Sequence, residues 1–341
     1  MNFNVVLPLA SSILSFVFFA FLIDQWRERR RPYQLIWAIG MLWYALSAGT
    51  EFLGGAIGWS EPLYRAWYLI GAIWVAGWLG LGTVFLLAKT RFGYAFAISL
   101  GLAGLFTYLA SVKNDYPGSG PAPLVYGLVA LILAIAVVVM TARRDERWVW
   151  LAAAAIVGGS ILSLGLVLTA PLAAPGYALN DATHIPVGTL FPGTIRLLTP
   201  FFNVTGAFAL TFGALYSAYV FMPKVRLIRY DLGRSRSTLT FLAAAGGIPV
   251  NFLASLPGAI VALVSGRLHS RVPATILIAV GGFIPAITSG ANRFGATSGF
   301  FVGEFLGVLF LFTGFLVSVE VFREIRVPFT HIVLRSRAAE A

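Results

Sequence analysis

The sequence predicts an all-α polytopic transmembrane helix bundle, with about nine spans plus a broken re-entrant hairpin. Three observations carry that expectation. The 341 residues are 59% hydrophobic and only 11% charged, against about 25% charged in an ordinary soluble domain. Apolar runs of span length follow one another along the chain, and about 30 Å of hydrocarbon takes about 20 helical residues to cross. The runs do not alternate apolar and polar positions as the strands of a membrane barrel do. Lipid offers no partner to a bare peptide group, so the spans are expected as helices. No stretch reads as a soluble domain, and residues 1–341 are expected to form one integral membrane domain.

The first run, 5–23, is followed by its basic cluster, Arg27, Arg29, Arg30 and Arg31. A cleaved signal peptide has the opposite order, so this run reads as a first span with its N-terminus outside. Runs 34–57, 66–88, 93–111, 123–141, 148–170 and 201–222 come next. If these seven alternate, the inner loops hold 14 Lys and Arg residues and the outer loops only Arg65, Lys113 and Arg196. That asymmetry is what orients polytopic proteins. It also accounts for the net charge of +11, so nucleic acid is not implied as a partner. The connection 171–200 falls outside. Its prolines at 171, 175, 186, 192 and 200 alternate with Tyr177, Ile185, Leu190 and Phe191, the mixture of an ordered cap. Long connections of this kind tend to be functional.

Segment 241–266, "FLAAAGGIPVNFLASLPGAIVALVSG", is long enough to cross but contains Gly246, Gly247, Pro249, Asn251, Pro257 and Gly258. Spans 274–291 and 300–322 follow it. If all three cross, the basic residues divide 15 inside to 9 outside. If 241–266 enters from the cytoplasm and returns, they divide 20 to 4, which satisfies the charge rule far better. If instead 274–291 is the element that dips and returns, the division is 18 to 6. The denser breakers of 241–266 favour the hairpin there, with limbs of about ten residues reaching about 15 Å. The resulting topology has an outer N-terminus and a cytoplasmic C-terminus in a bacterial inner membrane.

Ionisable residues within spans are costly and are functional candidates. Two acids qualify, Glu51 in the second span and Glu304 in the last, both in the outer half. Ser47, Gly54 and Gly55 share a helix face with Glu51, and Gly303, Gly307 and Gly314 lie beside Glu304. Small residues let helices approach, so both acids are expected to face the bundle. Arg65, Arg196, Arg293, Asp181 and His184 are outer-side groups within their reach. Asn251 is a further candidate, since discontinuous helices bind substrates in transporters. The binding candidates are therefore Glu51, Glu304, Arg196, Arg293 and Asn251. The alternative reading is that the acids only fix helix positions. Trp74 and Trp78, one turn apart, read either as packing or as the wall of a pigment or quinone site.

Several classes lack their residues. There is no cysteine, hence no disulfide or thiolate chemistry. Asp181 and His184 together fall short of a metal set, and no metal or cofactor is implied. Lys89, Lys113 and Lys224 all sit at span ends, which excludes a retinal Schiff base, and no span holds a histidine for haem. HExxH and GxSxG are missing, as is a phosphate loop, so nothing marks an enzyme.

"RRRPYQLIWAIGMLWYALSAGTEFLG" with "RAWYLIGAIWVAGWLGLGTVFLLAKTR", and later "RVPATILIAVGGFIPAITSG", resemble a group of uncharacterised multi-pass bacterial integral membrane proteins. The resemblance implies a helix bundle, with the last piece following a basic cytoplasmic loop. It implies no activity and no site residue. The reading that follows from the residues is a multi-pass inner-membrane protein that transports a small solute or ion through an outward-facing polar site. The alternative is a non-enzymatic membrane scaffold or sensor, as a homo-oligomer or a subunit of a membrane complex.

Overall fold

The structure, a computed structural model, describes residues 3–116, 118–230, 238–293, 296, 299–318, 324–330 and 332–336. Arg234, Arg236, Arg323 and Arg337, which entered the charge count, lie outside the described residues. The molecule is an all-α bundle, and among the described residues ten helices are long and apolar enough to cross a membrane. They are α1 (Phe3–Arg29), α2 (Pro32–Ile57), a third span Glu61–Leu86, α5 (Gly93–Asn114), α6 (Ala122–Ala142), α7 (Trp148–Thr169), α9 (Leu198–Phe221), α10 (Thr238–Val264), α11 (Arg271–Arg293) and α12 (Phe300–Val317). The third span is composite: α3 (Glu61–Trp67), a π-helical segment Tyr68–Trp74, then α4 (Val75–Leu86). A four-residue helix, α8 (Gly193–Arg196), precedes α9, and a small antiparallel hairpin, β1 (Glu324–Arg326) with β2 (Val333–Ser336), follows α12.

Helix α9 is the hub, packing on α4, α5 and α11. Close approach explains its sequence. A methyl at Gly206 would lie 2.0 Å from the carbonyl oxygen of Ala76, and one at Gly80 would lie 2.6 Å from the Gly206 backbone. Only glycine permits this crossing, and backbone contact of this kind is how helices associate where lipid supplies no hydrophobic drive. Helices α11 and α12 meet the same way. A methyl at Gly307 would enter the Pro285 ring at 2.2 Å, and one at Gly303 would meet Thr288 at 2.2 Å. Polar side chains add local ties. The Trp74 and Trp78 indoles donate to Ser163 Oγ at 3.0 Å and Ser160 Oγ at 3.3 Å on α7, which ties the third span to α7.

The helices other than α10 alternate between two ends. One end carries the connection from α7 to α9 and is called the cap end here. There Asn4 of α1 donates to the Thr183 carbonyl at 2.7 Å, and Phe300 of α12 packs on Ile185. The cap is ordered: Leu179 pairs with Pro186, Asn180 Oδ1 accepts from the amides of Ala182 and Thr183, and the Phe191 ring stacks on Tyr68 at 4.2 Å. At the far end, Asp24 of α1 accepts from the Phe329 amide at 3.2 Å, which brings the segment after α12 back to the end of α1.

Segment 241–266 requires a correction. It is not a broken hairpin: α10 runs without interruption through Pro249 and Pro257. Each proline removes one backbone donor and bends a helix, but a reversal would strip several successive peptide groups of partners, at several kcal/mol each in lipid. Two isolated defects are the lesser penalty. The alternative dip at 274–291 is absent too, since α11 is continuous.

Helix α10 nevertheless stands apart from the other nine. The joining ends of α9 and α11 lie together at the far end, with the Arg271 guanidinium 4.5 Å from the centre of the Phe221 ring. From there α11 runs back along α9, placing Gly282 against Leu210 and Thr211. Passage from α9 through α10 to α11 therefore produces no change of end. Helix α10 packs on the last turn of α9, where Ile248, Phe252, Leu256 and Ala259 meet Ala218, Tyr219 and Met222. The chain leaving α9 lies against it: Asn251 Oδ1 accepts from the Ile228 amide at 2.9 Å, Asn251 Nδ2 donates to the Ile228 carbonyl at 2.8 Å, and Ser255 Oγ accepts from the Val225 amide at 2.9 Å.

Candidate functional site

Glu51 and Glu304 come together in the cap half of the bundle. Glu51 is 1% exposed on α2, and its Oε1 accepts from the Trp67 indole at 2.8 Å. Glu304 sits one turn into α12, and its carboxyl lies within hydrogen-bonding reach of Glu51. The Tyr44 hydroxyl of α2 donates to the Glu304 carbonyl at 2.7 Å and fixes the two helices at this level. The π-helical segment contributes the third wall. A π turn is wider than an α turn and is frequent at functional sites. This one spans the positions between Trp67, which reaches Glu51, and Trp74, which reaches α7. Gly71 at its centre lies so close to Ser47 of α2 that a methyl would come within 2.0 Å of the hydroxyl.

Glu51 and Glu304 line a cavity of about 420 Å³ beneath the cap, together with Asn203 of α9, Asn292 of α11, Arg196 of α8 and Asp181 of the cap. A second cavity of about 350 Å³ begins at Glu304 and runs deeper between α4, α9 and α11. Its walls are apolar, with Val75, Leu79, Ala207, Phe208 and Leu311 among them. Gly71, Asn203, Ser289 and Glu304 belong to both cavities.

The chemistry of the junction is that of hydrogen-bond acceptors. Glu51 Oε2, Glu304 Oε2, Asn203 Oδ1 and Asn292 Oδ1 are buried without a partner among the described residues. No cationic side chain among the described residues reaches either acid at ion-pair distance. Arg196 lies on the same cavity, but its guanidinium stacks 4.1 Å from the centre of the Tyr116 ring. Two carboxyls side by side in a buried place either share a proton, and then carry one charge between them, or hold a cation. The arrangement is therefore suited to a proton, a cation or a donor-bearing group.

The remaining candidates are distributed differently. Asn251 is far along the chain on α10, both halves of its amide engaged by Ile228, and it is not brought to the carboxyls. Arg293 closes α11, and its side chain lies outside the described residues. Arg65 holds the cap, donating to Glu61 and to the carbonyls of Val167 and Ala170. Asp181 lines the polar cavity with no acid or base beside it that would complete a metal set, and among the described residues no group of three His, Cys, Asp or Glu clusters for a metal. Trp67, Asn203 and Asn292 were not singled out from sequence. Asn203, a carboxamide in the span "TPFFNVTGAFALTFGALYSAYVF", carried the one legible signal, a polar group where lipid disfavours it.

The chain matches no known protein family, no curated protein and no solved structure.

Proposed function

We propose that this multi-pass membrane protein is a transporter whose substrate or coupling ion binds between Glu51 and Glu304. The observation that carries the reading is the pair itself: two buried carboxyls with unpartnered oxygens, on the wall of a polar cavity beneath the cap. A purely structural pair would leave Asn203 Oδ1 and Asn292 Oδ1, also buried without a partner among the described residues, unaccounted for beside it. On the opposite side, Leu79, Leu210 and Leu311 line the deeper apolar cavity. The charge asymmetry of the loops supports an orientation with the cap outside and the far end in the cytoplasm. Arg196, Asn203 and Asn292 then complete the outward-facing site. The scaffold or sensor reading leaves the acceptor-lined cavity unused.

The test is a binding titration in lipid nanodiscs. Protons, Na⁺, K⁺ and butylamine are each titrated against tryptophan fluorescence, with Trp67→Phe identifying the contribution of the indole on Glu51. One or more titrations should saturate in the wild type and vanish in a Glu51→Gln/Glu304→Gln double variant. Identical responses from wild type and double variant would overturn the proposal.

A further inference from the structure

The two cavities meeting at Glu304 restrict what the site can hold. The cap-side cavity is polar, and the deeper one is apolar over nearly its whole wall. Helices α5 and α11 both pack on α9 but make no comparable contact with one another. The deep cavity accordingly has Phe106 of α5 on one lip and Phe283 and Ile287 of α11 on the other, and all three are about half exposed on the bundle's lipid-facing side. Its floor is the α9 face bearing Asn203 and Ala207. A lateral opening of this kind admits a molecule from the bilayer, and a water-soluble ion has no use for it.

We infer that the ligand of the carboxyl pair is a membrane-dissolved amphiphile, with a cationic, hydrogen-bond-donating head at Glu51 and Glu304 and a hydrocarbon chain in the α5–α9–α11 cavity. The inference rests on the carboxyl site proposed above and names its ligand class. Charge complementarity fixes the head. Four buried acceptor oxygens face the polar junction, and none has a donor among the described residues. An ammonium group brings three donors and one positive charge. The apolar walls fix the tail, since a cavity of about 350 Å³ is of the size of ordinary ligand sites and accepts a chain of methylenes without any polar demand. Glu304, present in both walls, is where head and tail join.

Calorimetric titration in nanodiscs with dodecylamine and butylamine tests this. Ala207→Phe narrows the floor of the apolar cavity, and Ala286→Phe narrows it near the lateral opening. Each should weaken dodecylamine about tenfold or more, the scale of a few displaced methylenes, and leave butylamine unchanged. Dodecylamine binding equal to wild type in both variants would overturn the amphiphile inference while the carboxyl site stands. If the Glu51→Gln/Glu304→Gln variant binds both amines as the wild type does, the carboxyl site itself fails, and the inference with it. Binding of each variant is read beside its unfolding temperature, so a fold defect in one is recognised and the other decides.

Discussion

A single indole determines how Glu51 is held. Its Oε1 has the Trp67 donor at 2.8 Å, while its Oε2 has no partner among the described residues. The two oxygens can be separated by substitution. Glu51→Gln keeps an acceptor for Trp67 and should shift unfolding stability by less than about 0.5 kcal/mol, because an interior amide replaces a carboxyl of the same shape. Trp67→Phe leaves Oε1 bare and should lose about 1 kcal/mol, the range of side-chain hydrogen bonds within membranes. Reversible unfolding in mixed micelles measures both. A Glu51→Gln loss larger than that of Trp67→Phe would mean that the carboxylate itself holds the bundle together. The acids were legible in the sequence because a carboxyl inside a span is conspicuous against its cost. Their partner was not. Trp67 reads as one aromatic among many, and its contact with Glu51 depends on how the composite third span packs against α2.

Small residues decide which helix pairs touch. At Gly206 the obstacle to a side chain is the Ala76 carbonyl, a backbone atom that cannot rotate away. Gly206→Ala should therefore force α4 and α9 apart and cost about 1–3 kcal/mol, the range for overpacking. Gly101 on α5 has nothing within 4 Å of an added methyl, so Gly101→Ala should be neutral or stabilising by up to about 1 kcal/mol from helix propensity. Equal effects at the two positions, read by thermal unfolding, would remove the backbone contact as the cause. In α10 the composition signal was real but its meaning was not fixed by sequence. Glycine and proline mark places where a helix can break, and a helix survives them when the remaining peptide groups stay paired. Asn251 shows the consequence. Its side chain, legible only as polar, clasps the Ile228 backbone. Asn251→Ala should free this strip, so that trypsin cuts sooner after the exposed Lys224, Arg226 and Arg229, with the melting of the bundle nearly unchanged. Unaltered cleavage kinetics would show that the strip is held by its apolar contacts alone.

At the scale of the whole molecule, the ten span-length helices among the described residues follow from hydropathy, because the bilayer imposes one length on every crossing element, whereas the exceptional course of α10 does not. The lateral opening and the cap fold do not follow from it, since they depend on which helices fail to touch. The orientation proposed from the basic loops and the placement of helix ends can be tested together at α10. Its neighbours at both ends belong to the far end: Met222 and Pro223 on approach, and Arg271 and Val272 on departure. An apolar helix lying there, with Lys224, Arg226 and Arg229 exposed on the adjacent strip, suits an element that enters lipid from the far end beside basic residues able to meet headgroups. The chain has no cysteine, so single cysteines report without background. A cysteine replacing Leu227 before α10, one replacing His269 after it and one replacing Arg144 between α6 and α7 should all resist an impermeant thiol reagent applied to intact cells and react once the membrane is permeabilised. A cysteine at Ala173, exposed on the cap, should react at once. Labelling of His269→Cys from outside with Leu227→Cys protected would show that α10 crosses the bilayer as a tenth span, and would require α11 to be turned over relative to α9 against the packing of Gly282 on Leu210.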